Sequence, residues 1–122
     1  MTELNQKVEQ YDLREHVIFL GRRNDIPDLL KMIDILIIPS AFEGFPLAGL
    51  AAAAGVPVIA CDAAGAEEFI RVSRDGVTFA EDDVDSAADA VGKILEGKEQ
   101  YKKAGIEFAS QMSNREYSTK VE

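Results

Sequence analysis

The chain has 122 residues, 22 acidic against 13 basic, for a formal net charge of −9, with one histidine and one cysteine. That length fits one α/β-sized domain with a modest core. The acidity, with bases paired only at Arg22-Arg23 and Lys102-Lys103, disfavours nucleic acid and anionic lipid as partners. A lone Cys61 excludes an internal disulfide, and Cys61 and His16 give no metal-ligand spacing. With no apolar run of membrane length and no signal-peptide core at the N-terminus, the reading is a cytoplasmic protein without a metal site.

In chain order, Leu4, Val8 and Tyr11 predict an amphipathic helix over Leu4–Tyr11. Val17–Leu20 is wholly apolar and reads as a strand closed by Gly21. The loop Arg22-Arg23-Asn24 leads to Asp25 as an N-cap and Pro27 in the first turn of a short helix with Ile26, Leu29, Leu30 and Ile33 on one face. Ile35–Ile38 is the next strand, ended by Pro39. A small-residue helix over Leu47–Ala54 follows, with Gly55 as its cap and Pro57 barring continuation, then a strand Val58–Cys61. Glu67-Glu68-Phe69-Ile70 opens a helix ending near Ser73. Arg74-Asp75-Gly76 is a turn and Val77–Phe79 a strand. The acids Glu81–Asp83 cap the most clearly amphipathic helix, Asp85–Glu96, which Gly97 ends. Tyr101–Met112 is a further helix, and weaker periodicity predicts fraying over Ser113–Glu122.

Short apolar strands alternating with helices indicate an α/β fold, an open parallel sheet of about four strands with helices on both faces. In such sheets ligands bind beyond the carboxyl ends of the strands. Those ends are Gly21-Arg22-Arg23, Pro39–Phe45, Asp62–Gly65 and Ala80–Asp82. The second carries the most chemistry. A strand there feeds the loop Glu43-Gly44-Phe45-Pro46 into a helix, which aims free N–H groups over the sheet edge and suits an anion. Spacing alone equally fits a generic crossover with a solvated Glu43, surface arginines at 22 and 23, and Phe42 and Phe45 as core residues.

Taken together, Val17-Ile-Phe-Leu-Gly-Arg, Asp34-Ile-Leu-Ile-Ile-Pro-Ser, Glu43-Gly-Phe-Pro-Leu, Gly55-Val-Pro-Val-Ile-Ala-Cys-Asp62 and Asp75-Gly-Val resemble the C-terminal, Rossmann-like domain of GT-B glycosyltransferases, nearest the retaining enzymes of glycosyltransferase family 4. The similarity runs from about Leu4 to Met112. It implies one α/β domain over residues 1–122 that binds a UDP- or GDP-type nucleotide-sugar as substrate, with no cofactor and no metal, for hexosyl transfer in carbohydrate biosynthesis. By resemblance, Glu43 touches the donor sugar's hydroxyls as the catalytic-site carboxylate. Gly44, Phe45 and Pro46 line the sugar pocket. N–H groups around Leu47 and Ala48 meet the distal phosphate. Gly21, Arg22, Arg23 and Ile26 face the nucleobase.

Two departures from the pattern bear on activity. The family's second motif glutamate, which holds the ribose, falls at Ala51. The family domain's first two strands, with their basic pair, have no counterpart in Met1–Asp12, and the acceptor-binding domain is absent from the chain. The expectation is a donor-site portion without turnover on its own. The alternatives are a non-catalytic α/β module that kept the fold and lost the chemistry, and an unrelated doubly wound binder of flavodoxin type. Direct pairing of Val17–Leu20 with Ile35–Ile38 would complete a four-stranded sheet, and strand exchange in a homodimer is the other way to pair those edges.

Overall fold

Three short apolar runs pair into one parallel sheet in the computed structural model, which describes residues 2–39, 45–62 and 66–121. β1 is Leu36–Ile38, β2 Val58–Cys61 and β3 Gly76–Phe79, in spatial order β1-β2-β3. The register sets Leu36 against Val58 and Val58 against Gly76. β2 is buried along its whole length, so every one of its side chains is apolar. Val58 and Ala60 point to one face, where they meet Leu30, Ile38, Ala48, Ala51 and Ile70. Ile59 and Cys61 point to the other, against Phe79, Ala90 and Ile94. Each large aliphatic side chain buried there contributes about 1.5–3 kcal/mol.

The helices that cover these faces follow from local sequence. α1 is Thr2–Gln10, α2 Ile26–Leu30, α3 Phe45–Ala53, α4 Ala66–Ser73, α5 Val84–Glu96 and α6 Lys98–Val121. α3 ends on Gly55 at φ +75°, with Gly55 N–H donating to Ala52 O at 3.0 Å and Val56 N–H to Ala51 O at 2.8 Å. That pair of bonds is the Schellman motif that glycine permits. α5 starts on Asp83, whose carboxylate accepts from Ser86 N–H at 3.0 Å, and stops at Gly97.

Three expectations are corrected. Among the described residues the sheet has three strands, because Val17–Leu20 pairs with nothing and Ile18 is 82% exposed. An apolar run becomes a strand only where a partner edge takes its hydrogen bonds, and here β1 and this segment stay apart. Asp25 precedes α2 but makes no side-chain cap, since its carboxylate is held by Arg23. The last helix is continuous to Val121 rather than stopping near Met112.

α6 crosses the amino edge of the sheet and touches the entry to all three strands. Lys98 Nζ binds Asp34 Oδ1 at 2.6 Å before β1, and that hydrogen bond holds the Asp34 carboxyl below its usual range. Ile106 packs on Gly55 before β2, where an added methyl would lie 3.1 Å from its Cδ1. Gly105 sits over Asp75 before β3; a Cβ there would approach Asp75 Cβ to 2.9 Å. The amino edge is thereby crossed by a helix.

Asp75 is buried beneath that crossing, 1% exposed. Ser73 Oγ donates to its Oδ1 at 2.6 Å, while Oδ2 has no hydrogen-bond partner. Burial pushes its pKa up, and the Ser73 hydroxyl only partly opposes this. A carboxyl whose folded pKa lies above the unfolded value of about 3.9 favours folding fully below that pH and loses the advantage as pH rises through the folded pKa. Asp75→Asn is therefore expected to stabilise the chain at pH 7 and to flatten the decline in stability above about pH 4. Urea unfolding from pH 4 to 8 measures both. An unchanged pH slope in the variant would show that the decline comes from another group.

Candidate functional site

In an open parallel sheet the carboxyl ends of the strands are where a ligand crevice is expected. β1 passes out at Pro39 and returns as α3, which begins at Phe45. α3 has no acidic residue in its first turn, whereas α4 starts with Glu67 and Glu68 and α5 with Asp85. The positive ends of α4 and α5 thus carry acids in their own first turns, and α3 carries none in its first turn. Ala48, in the first turns of α3, is fully buried and Leu47 half-buried against the core, so their contribution to the edge is backbone rather than side chain.

The neighbouring strand ends are tied together. Asp62 N–H donates to Phe79 O at 2.9 Å, and Asp62 Oδ1 accepts from Glu81 N–H at 3.3 Å. Ala80 N–H donates to Ser86 Oγ at 2.9 Å, fixing the end of β3 to the first turn of α5. Nothing in local spacing brings Asp62 to Glu81, so this link leaves no sign in the sequence. The Asp83-x-x-Ser86 spacing was the available sign that the third loop is braced from α5.

The four N-terminal residues assigned by resemblance are placed as follows. Gly21 adopts φ +66° and is exposed. Arg23 forks onto Asp25, Nε to Oδ1 at 2.7 Å and Nη2 to Oδ2 at 2.5 Å. The Arg23 hydrogen bond lowers the Asp25 pKa, and Asp25 raises that of Arg23. Arg22 is exposed with no ion-pair partner among the described residues. Ile26 packs against the α3-side core, which anchors the base of this loop. Glu43, Gly44 and Phe42 lie outside the described residues, as does the loop Ala63-Ala64-Gly65. Phe45 and Pro46 form the first residues of α3. Ala51, within α3, is 0% exposed and faces the core.

A family profile described as Glycosyl transferases group 1 matches residues 2–111. The chain belongs to this glycosyltransferase family. It is 31% identical over 100 residues to the lipopolysaccharide core biosynthesis mannosyltransferase LpsB of Rhizobium meliloti, covering 80% of this chain and 28% of that protein. It is 35% identical over 88 residues to the UDP-Gal:alpha-D-GlcNAc-diphosphoundecaprenol alpha-1,3-galactosyltransferase of Escherichia coli, covering 71% of this chain and 23% of that protein. The chain thus spans about a quarter of these relatives' length. Among solved structures, Anabaena Alr3699/HepE in complex with UDP and glucose superposes with a TM-score of 0.79 over 93% of this chain and 32% of that one, at 24% identity, which speaks to the fold. The C-terminal domain of a glycosyl transferase group 1 family protein (LpcC) from Francisella tularensis matches with a TM-score of 0.70 at 30% identity, over 90% of this chain and 60% of that one. The GT-B glycosyltransferase expectation for fold and family therefore holds for this chain. Among the described residues no helix is long and apolar enough to cross a membrane.

Proposed function

We propose that this glycosyltransferase-family chain is the donor-site portion of a retaining enzyme that moves a hexosyl group from a UDP- or GDP-type nucleotide-sugar to an acceptor, without metal or further cofactor, and does not turn over alone. The observation that carries the reading is the start of α3 at the carboxyl edge of the sheet, with no acid in its first turn. A helix end of this kind stabilises a diphosphate as charge builds on it during departure of the leaving group. In this reading the N–H groups around Leu47 and Ala48 meet the distal phosphate. Glu43 accepts hydrogen bonds from the sugar hydroxyls, and Gly44, Phe45 and Pro46 shape the sugar pocket. Gly21, Arg22, Arg23 and Ile26 face the base, with Arg22 as the guanidinium not already engaged by a carboxylate. The domain occupies residues 1–122 and works in the cytoplasm. An acceptor-binding half outside this sequence completes the enzyme, since one carboxylate and one helix end supply neither acceptor positioning nor a full leaving-group clamp. The outer edge of β1, unpaired among the described residues, lets two copies pair as a homodimer.

Calorimetric titration with UDP, GDP, UDP-glucose and GDP-mannose at low salt tests this reading. Saturable binding of one nucleotide-sugar is expected, weakened by about tenfold to hundredfold in Glu43→Ala, the range for a lost charge-assisted hydrogen bond. No heat from a folded sample would overturn it. The non-catalytic module would then be the better reading, and the buried Ala51 already favours that second view, since its methyl cannot hold a ribose.

A further inference from the structure

A cavity of about 530 Å³ opens between the C-terminal end of α4 and α6. It lies at the amino edge, because Ser73 and Arg74 in its wall lead into β3. It therefore shares no residue with the carboxyl edge described above. Its volume is within the roughly 300–1,000 Å³ usual for small-molecule sites.

Arg74 is the unexpected member of the wall. It sits at φ +58°, in the left-handed region that non-glycine residues rarely enter. Its N–H donates to Ile70 O at 2.8 Å, closing α4. The other non-glycine residues with positive φ among the described residues are Asp12 and Asp82, a type that tolerates the region. An arginine gains nothing from its side chain there, and glycine would relieve the strain. The guanidinium has no ion-pair partner among the described residues, whereas Arg71 beside it is held by Glu68.

The remaining wall mixes aromatic and polar groups. Tyr101 and Phe108 supply ring surface, and Phe108 is fixed edge-on to Phe69 at 5.5 Å between centroids. Gln100 and Glu107 supply hydrogen-bonding groups from α6. We propose that this cavity is a second binding site, which takes a saccharide carrying a phosphate or carboxylate. Arg74 receives the anionic group in a charge-assisted, forked contact. The apolar face of the sugar ring packs on the aromatic side chains, and the Gln100 amide and Glu107 carboxylate take its hydroxyls. Glu107 disfavours a bare phosphate, whose whole surface is anionic, but suits the hydroxyl-bearing end of an elongated ligand. The site stands independently of the donor reading, since it uses neither α3 nor the loops around it.

Glucose 6-phosphate and glucuronate, titrated into the ¹⁵N-labelled chain beside glucose and inorganic phosphate, provide the test. The expected result is saturable amide shifts around Arg71–Arg74 and Gln100–Phe108 with an anionic sugar. That binding should be tighter than with glucose or phosphate. Arg74→Gly should weaken it by tenfold or more while raising the melting temperature and leaving any UDP binding unchanged. Arg74→Asn, which also tolerates positive φ, guards against a folding defect in the first variant. Failure of both anionic sugars to saturate would overturn the proposal. So would phosphate binding as tightly as the sugar phosphate, or unaltered affinity in both Arg74 variants.

Discussion

Replacing Gly76 with alanine is expected to abolish cooperative folding. A Cβ at this position would lie 1.7 Å from the carbonyl oxygen of Val58, far inside any real contact. Val58 is the register partner of Gly76 in the central strand, and β2 is buried on both faces. The strand cannot retreat without opening two cores at once. Ordinary overpacking costs roughly 1–3 kcal/mol against a total stability of about 5–15 kcal/mol. A backbone collision of this depth exceeds the first range, and β3 with the helices it anchors should detach. Circular dichroism should show no sharp thermal transition. A melting temperature within a few degrees of the parent would mean that Gly76 does not lie against Val58.

Ala51→Glu is expected to be almost as damaging, and it separates two views of α3. The family pattern puts a ribose-binding glutamate here, yet Ala51 has no exposed surface and sits among Leu30, Ile38, Val56 and Val58. A carboxylate in that position would be an unpaired buried charge, at a cost of about 3–5 kcal/mol. The variant should unfold at markedly lower urea than the parent at pH 7. It should recover part of the difference in acid, where the glutamate is neutral. Unchanged stability together with tighter UDP binding would instead show that the position faces the crevice.

These two positions also mark how far the sequence could be read. The three strands were legible because each is a short apolar run fenced by Pro39, Pro57 or Gly76, and the α3 and α5 caps were legible in Gly55 and Asp83. Val17–Leu20 has the same apolar character but no strand, since pairing belongs to two segments and composition to one. Contacts between distant residues left no local trace. Lys98 meets Asp34 across 64 positions, and Gly105 over Asp75 reads as an ordinary helix glycine until the crossing is seen. For the candidate site, the order of loops at the carboxyl edge followed from strand order. The grip of Asp25 on Arg23 did not, because residues two apart in a loop have no fixed relation.

Cys61 ends the central strand with its thiol enclosed between β2 and the α5 face, 2% exposed, and it is the only cysteine in the chain. A thiol reagent can reach it only when that face lifts away, so the rate of labelling measures how often the interior opens. Because β2 lies between the other two strands, that rate follows the least frequent openings of the molecule, not the fraying of its ends. The chain therefore contains its own clock for breathing, readable by mass without an added probe. A ligand that binds only the folded chain should slow it, whichever edge it grips, by a factor set by its concentration over its Kd.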